Sequence, residues 1–198
     1  MIGAIMTGGA SRRMGFNKAF IETDKATGET ILSRTVSIFQ DLFDETVIVT
    51  ADASIYSKAG VPVLTDIYPD CGSLGGIFTA LKNFPDSPLF IAACDMPHID
   101  PTAIEAIITK ARSSTDAIDA AVPYTDSRYH PLHAYYTQNA TDKIEQLLKK
   151  RELRVQGFID SAMVLKLVEA DFGTIDIARS VANINTPEEL ENAGLTDR

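Results

Sequence analysis

The apolar run Ile2 to Met6 passes directly into TGGASRRMGFNK over residues 7–18, a glycine-rich and cationic segment. A short buried strand that empties into such a loop at the start of a chain is the arrangement of a parallel α/β sheet, where the first loop receives phosphate. Gly8, Gly9 and Gly15 leave backbone N–H groups free to turn toward an anion, and Arg12, Arg13 and Lys18 add positive charge. The spacing matches neither GxxxxGK[ST] nor GxGxxG, so the loop is a different solution to holding a triphosphate.

The rest of the chain follows the same rhythm. Strand-like runs recur at Ile2 to Met6, Thr46 to Thr50, Val61 to Leu64, Leu89 to Ala93 and Ala117 to Val122, separated by helical patterns such as 31–43. Alternating β and α segments predict one α/β domain over 1–198, Rossmann-like, with a mainly parallel sheet and helices on both faces. Asp100-Pro101 opens a helix as cap and first residue, and Thr186 with Glu189 has the spacing of a capping box. After Pro123 the pattern departs: 124–137 reads as a loop entering an alternating strand, and 139–150 as an amphipathic helix. Antiparallel strands or an insertion over one side of the ligand cleft are expected there.

Composition narrows the partners. A net charge of −9 over 198 residues opposes general nucleic-acid binding. No apolar run approaches the ~20 residues of a membrane span, and the N-terminus has no leader pattern, so a cytoplasmic protein without a membrane segment is expected. Cys71 and Cys94 have neither CxxC spacing nor histidine company and read as reduced structural thiols. The basic cluster at 149–154, KKRELR, reads as the solvated end of a helix, with contact to an anionic ligand as the second reading.

In a parallel sheet the residues directly after each strand gather at one edge. Asp66 follows one apolar run and Asp95 another, within Cys94-Asp95-Met96-Pro97. Each could simply cap a turn. A carboxylate at that edge also suits Mg²⁺, which takes one or two carboxylates together with phosphate and water, and Asp95 is the stronger candidate. Between them, Pro69 to Ile77 forms a second glycine-rich loop, with Gly75 placed where small residues let backbone approach a base or ribose. His98 and His133 read as turn or packing histidines, whereas His130 beside Pro131 stands apart.

Taken together, GGxSRRMGxxK, the strand-end Asp66, GxLGGI, the CDMP turn, HPL and NxNTPEEL resemble the molybdenum cofactor guanylyltransferases, from the first strand to about residue 190. The resemblance implies a Rossmann-like nucleotidyltransferase that transfers GMP from GTP to the terminal phosphate of molybdopterin and releases pyrophosphate. It implies that Met6, Thr7, Gly8 and Gly9 line the nucleotide, Lys18 contacts its phosphates, Asp66 lies at the nucleoside and Asp95 holds Mg²⁺. His130, Pro131, Asn183 and Asn185 would face the pterin. Molybdenum-insertion and molybdoenzyme maturation proteins are implied as partners. The chain departs from the pattern at Met6-Thr7, where Leu-Ala is usual, at Thr50 in place of Asn, and at Ser73 in place of Pro. A cytidylyltransferase acting on the same pterin, or an enzyme of sugar or polyol phosphates, is the alternative. The paired glycine favours the guanylyl reading.

Overall fold

A computed structural model of the chain describes residues 1–7, 17–184, 186, 188, 189 and 195. The loop residues Gly8, Gly9, Arg12, Arg13 and Gly15, and Asn185 near the C-terminus, lie outside the described residues.

The strands of the central sheet are β1 (Ile2–Met6), β4 (Glu45–Thr50), β5 (Val63–Thr65), β6 (Leu89–Ala93), β7 (Ala120–Thr125), β8 (Arg128–Tyr129), β9 (His133–Tyr136) and β10 (Val164–Val168). They run in the order β10-β7-β9-β6-β1-β4-β5, with β8 hairpinned onto β7. A small antiparallel pair, β2 (Glu22–Asp24) and β3 (Glu29–Thr30), stands apart. The pairs β6·β1, β1·β4, β4·β5 and β10·β7 are parallel. Only β9 breaks the order among the strands of that path, antiparallel to both β6 and β7. The departure expected after Pro123 is this hairpin and reversed strand.

Side chains alternate across the pleat, so each inner strand feeds two cores. Ile5, Ile48, Phe90 and Tyr135 face helices α1 (Ile31–Leu42) and α3 (Pro101–Ser113), and α6 (Ile177–Ser180) joins that layer through Ile177. Ala4, Met6, Val47, Val49 and Ile91 face α2 (Gly72–Asn83), α4 (Ala140–Lys149) and α5 (Val155–Ser161). The two-faced architecture is the one expected. It explains why β1 and β6 are apolar at every position: both faces are covered and all ten residues are buried.

Local chemistry sets the ends. Asp100 caps α3, its Oδ1 accepting from Thr102 N at 2.8 Å, with Pro101 as first helical residue. Thr186 and Glu189 exchange the two bonds of a capping box, Glu189 N to Thr186 Oγ1 at 3.1 Å and Thr186 N to Glu189 Oε2 at 3.2 Å. Two strands lie two to three residues later than the apolar runs suggest. The strand expected at Val61 to Leu64 is β5 at Val63–Thr65, and the one expected at Ala117 to Val122 is β7 at Ala120–Thr125. In the second case Asp119 interrupts the run: its buried carboxylate accepts from Met163 N and pairs with Lys143 Nζ, so ladder pairing starts one residue later. Tyr135 and Tyr136 of β9 are both buried, one on each face of the sheet.

Candidate active site

The carboxyl ends of β1, β4, β5 and β6 meet at one edge of the sheet, and backbone bonds tie them together. Thr7 N donates to Val49 O at 3.0 Å, Asp66 N to Thr50 O at 3.1 Å, and Cys94 N to Met6 O at 3.0 Å. Thr50 serves this edge through its backbone, and its hydroxyl accepts from Asp52 N, which turns the chain after β4. The Thr7 hydroxyl is directed to Val49 O, so Thr7 is spent on holding the strand ends. Met6 is buried, its side chain lying beneath the edge.

Asp95, two residues beyond β6, is brought to Lys18, which opens a turn of 3₁₀ helix at Lys18–Phe20. Lys18 Nζ lies 3.7 Å from Asp95 Oδ2, with both side chains largely buried. Burial raises the Asp95 pKa above the ordinary carboxylate range, and the Lys18 charge opposes that rise. Asp95 Oδ1 is buried without a hydrogen-bond partner. The neighbouring Cys94 thiol is pushed up to about 12, chiefly by burial and then by the Asp95 charge, so it stays protonated.

Asp66 shares these features. Its pKa is raised by burial, and its Oδ1 is also a buried acceptor without a partner. The strand end is fixed to α2 by Thr79, whose Oγ1 accepts from Ile67 N at 2.9 Å and donates to Gly75 O at 2.9 Å. At Gly75 a Cβ would stand 2.7 Å from Cys71 Cβ and 3.3 Å from Tyr68 O. Gly76, which sequence reasoning passed over, is the glycine that touches the site: a Cβ there would come within 2.1 Å of Met6 Cε and 3.5 Å of Asp66 Oδ1.

Tyr56 is a second residue missed from the sequence. It ends a 3₁₀ turn after β4 (Ala53–Tyr56), and its buried hydroxyl accepts from Asn17 Nδ2 at 2.8 Å and points to Thr7 O at 3.5 Å. Thr7 and Asn17 are the described residues that flank the glycine-rich loop, and one phenol joins them.

Because β9 runs antiparallel to β6, its leading residues reach the same edge. A cavity of about 260 Å³ opens there, lined among others by Met96, Arg128, His130, Pro131, Leu132 and Asn183. His130 Nε2 lies 2.8 Å from Thr125 Oγ1, and burial, reinforced by Arg128, holds the imidazole pKa below its usual value. Asn183 Oδ1 is buried without a partner. The next residue, Ile184, donates its N–H to Asp95 O at 2.9 Å, so the cavity and the Lys18–Asp95 pair share a wall. The structure thus assembles Lys18, Asp95, Asp66 and Met6 on one side, and His130, Pro131 and Asn183 on the other. His133 is separate, buried in the sheet with its ring edge-on to Phe90.

Among the described residues no group of three or more His, Cys, Asp or Glu converges as a metal cage, and no helix is long and apolar enough to cross a membrane. The family described as MobA-like NTP transferase domain matches residues 3–164. A protein named "Probable molybdenum cofactor guanylyltransferase" from Natranaerobius thermophilus is 34% identical, over 96% of this chain and 92% of its own length. The molybdenum cofactor guanylyltransferase of Desulfosudis oleivorans is 33% identical, over 96% and 93%. Molybdopterin-guanine dinucleotide biosynthesis protein A from Archaeoglobus fulgidus superposes with a TM-score of 0.83 at 26% identity, over 98% of this chain and 96% of that one. With its strand-edge carboxylates, its lysine and its two-faced sheet, the chain belongs to the molybdenum cofactor guanylyltransferases, within the family of MobA-like NTP transferase domains.

Proposed function

We infer that this chain transfers GMP from GTP to the terminal phosphate of molybdopterin, releasing pyrophosphate and forming the guanine dinucleotide. The observation that carries the reading is the Lys18–Asp95 pair at the carboxyl edge of β6, beside the cavity lined by His130 and Asn183. The acceptor phosphate attacks the α-phosphorus in line with departing pyrophosphate, a reaction that needs positioning and charge more than covalent help. Lys18, together with Arg12 and Arg13, offsets charge on the triphosphate and leaving group. Asp66 lies at the nucleoside, with Met6, Thr7, Gly8, Gly9 and Gly75 forming the nucleotide's surroundings. His130, Pro131, Asn183 and Asn185 form the pterin side.

The donor set fits Mg²⁺. Asp95 and Asp66 each carry a buried carboxylate oxygen that no donor among the described residues satisfies, and hard oxygen donors of that number are what the ion takes alongside phosphate. Asp95 is its principal ligand in this reading. When bound, Mg²⁺ neutralises phosphate charge and makes the phosphorus more electrophilic. Burial of Asp95 keeps its charge poorly solvated and raises its pKa, which strengthens the attraction of the ionised form for a cation, and the Lys18 charge opposes that rise. We place the reaction in the cytoplasm, with hand-over of the dinucleotide to molybdoenzyme maturation proteins.

The test is pyrophosphate release from GTP, CTP, ATP and UTP, each with and without molybdopterin, with the product identified by mass. Acceptor-dependent release from GTP, lost on chelation and restored by Mg²⁺, is expected. Preference for CTP would replace the guanylyl reading by a cytidylyl one, and no acceptor-dependent release from any nucleotide would overturn it.

A further inference from the structure

A second concavity, of about 300 Å³, lies outside the residues assigned to the reaction. It is lined by Arg34 of α1, by His98 and Asp100 of the turn between β6 and α3, and by Asp176, Arg179 and Ser180 at α6. Three segments far apart in sequence thus bring two guanidinium groups and an imidazole to one hollow. With Asp100 and Asp176 in the same lining the formal charge of the hollow is balanced, in a chain of net charge −9.

Two carboxylates, Asp100 and Asp176, line the same hollow, and each is held through one oxygen. Asp100 Oδ1 accepts from both Thr102 N and Thr102 Oγ1, at 2.8 and 2.7 Å. Asp176 Oδ1 accepts from Arg179 N at 2.9 Å. Ser180 Oγ accepts from Asp100 N at 3.1 Å, which closes the floor. Among the described residues neither Arg34, Arg179 nor His98 forms an ion pair with a carboxylate. His98 has its pKa lowered by burial first, then by Arg179 and Arg34, with no offsetting contribution from Asp100 or Asp176. The donors of α3 do not explain the hollow, since Pro101 has no N–H and Thr102 N is capped.

We propose that this hollow is a second anion site, which takes a compact phosphate dianion, either inorganic phosphate or a small phosphate monoester, on Arg34, Arg179 and His98. Two planar guanidinium forks and an imidazole offer more donors than a carboxylate has oxygens, but match a tetrahedral phosphate. The hollow is concave and small, which favours a compact ligand over an extended acidic peptide. Its floor is the chain that leaves Asp95, so ligand here bears on the same turn that positions the reaction's carboxylate.

The test is titration calorimetry with inorganic phosphate and, separately, with glycerol phosphate, on the full chain in a buffer free of other oxyanions. Comparison of the two probes tells free phosphate from a monoester. Saturable binding is expected that persists in Lys18→Ala, in which the reaction site is impaired. Arg34→Ala or Arg179→Ala should weaken it by about tenfold or more each, with Arg34→Lys intermediate. Both arginines are exposed, so these variants should melt at the wild-type temperature in phosphate-free buffer, and that melting point is the control for folding. The proposal is overturned if neither probe binds, or if binding disappears in Lys18→Ala and is untouched by Arg34→Ala and Arg179→Ala. Its outcome is independent of the nucleotide and acceptor that the enzyme uses.

Discussion

Lys18 Nζ stands 3.7 Å from one oxygen of Asp95, while the other oxygen of the same carboxylate is buried and without a hydrogen-bond partner. The lysine therefore answers one oxygen of the acid, and among the described residues no donor answers the other.

Replacement of either partner separates their roles. Asp95→Asn and Lys18→Ala should each lower the rate of GTP-dependent pyrophosphate release by on the order of 10²-fold or more with the fold retained. The pH profile distinguishes them further. Burial raises the Asp95 pKa and Lys18 lowers it, so Lys18→Ala should move the acid limb of the rate to higher pH. A wild-type acid limb in Lys18→Ala would show that the pair is not coupled in the working enzyme.

Gly76 is held small by the methionine beneath it. Gly76→Ala places a Cβ within 2.1 Å of Met6 Cε, so the side chain must move, at a cost of about 1–3 kcal/mol in chemical denaturation. Met6 is flexible at its tip, and Met6→Ala in the same chain should recover much of the loss attributable to the clash. Additive effects of the two substitutions would refute the contact as the cause.

Tyr56 acts through its hydroxyl. Tyr56→Phe keeps the ring packed on Phe20 and removes the link between Asn17 and Thr7, a loss of about 1 kcal/mol in stability. Its kinetic mark should be a KM for GTP raised about fivefold with kcat little changed, because the substitution touches positioning rather than charge. An unchanged KM would make Tyr56 a packing residue alone.

His133 sets an acid limit on stability. It is fully buried, both ring nitrogens lack partners, and its pKa is held down to about 3, chiefly by burial. The unfolded chain binds that proton near its ordinary value of about 6.5, so stability is full above that pH and falls as pH drops from there toward 3. In His133→Leu this part of the decline should flatten, read as melting temperature against pH. An unchanged slope would assign the acid loss to other groups.

Much of this was legible in the chain. β1 and β6 coincide with their apolar runs because full burial on two faces leaves no alternation to misread. Asp100-Pro101 and Thr186-Glu189 declare their caps because capping is local chemistry, complete within four residues. That Asp66 and Asp95 reach one edge of the sheet was legible because strand ends converge there by topology. The contact of Gly76 with Met6 was beyond reach: it depends on which glycine of α2 faces Met6, a phase fixed only once the helix docks. Tyr56 was equally hidden, since its partners lie 39 and 49 residues away and nothing in its own segment marks it. The hollow at Arg34, His98 and Arg179 combines residues from three segments, each of which alone reads as solvated surface.

The reversed strand β9 divides the sheet into two territories joined along a single seam. On one side β6, β1, β4 and β5 repeat a uniform parallel frame that presents Asp95 and Asp66; on the other, β7 pairs with β10 and carries the β8 hairpin, whose Arg128 and Tyr129 line the cavity with His130 to Leu132. Insertions or exchanges between Tyr124 and Leu132 can therefore remodel the cavity wall while the parallel frame keeps its register. A lineage could change its second substrate by editing this hairpin, with the chemistry inherited intact.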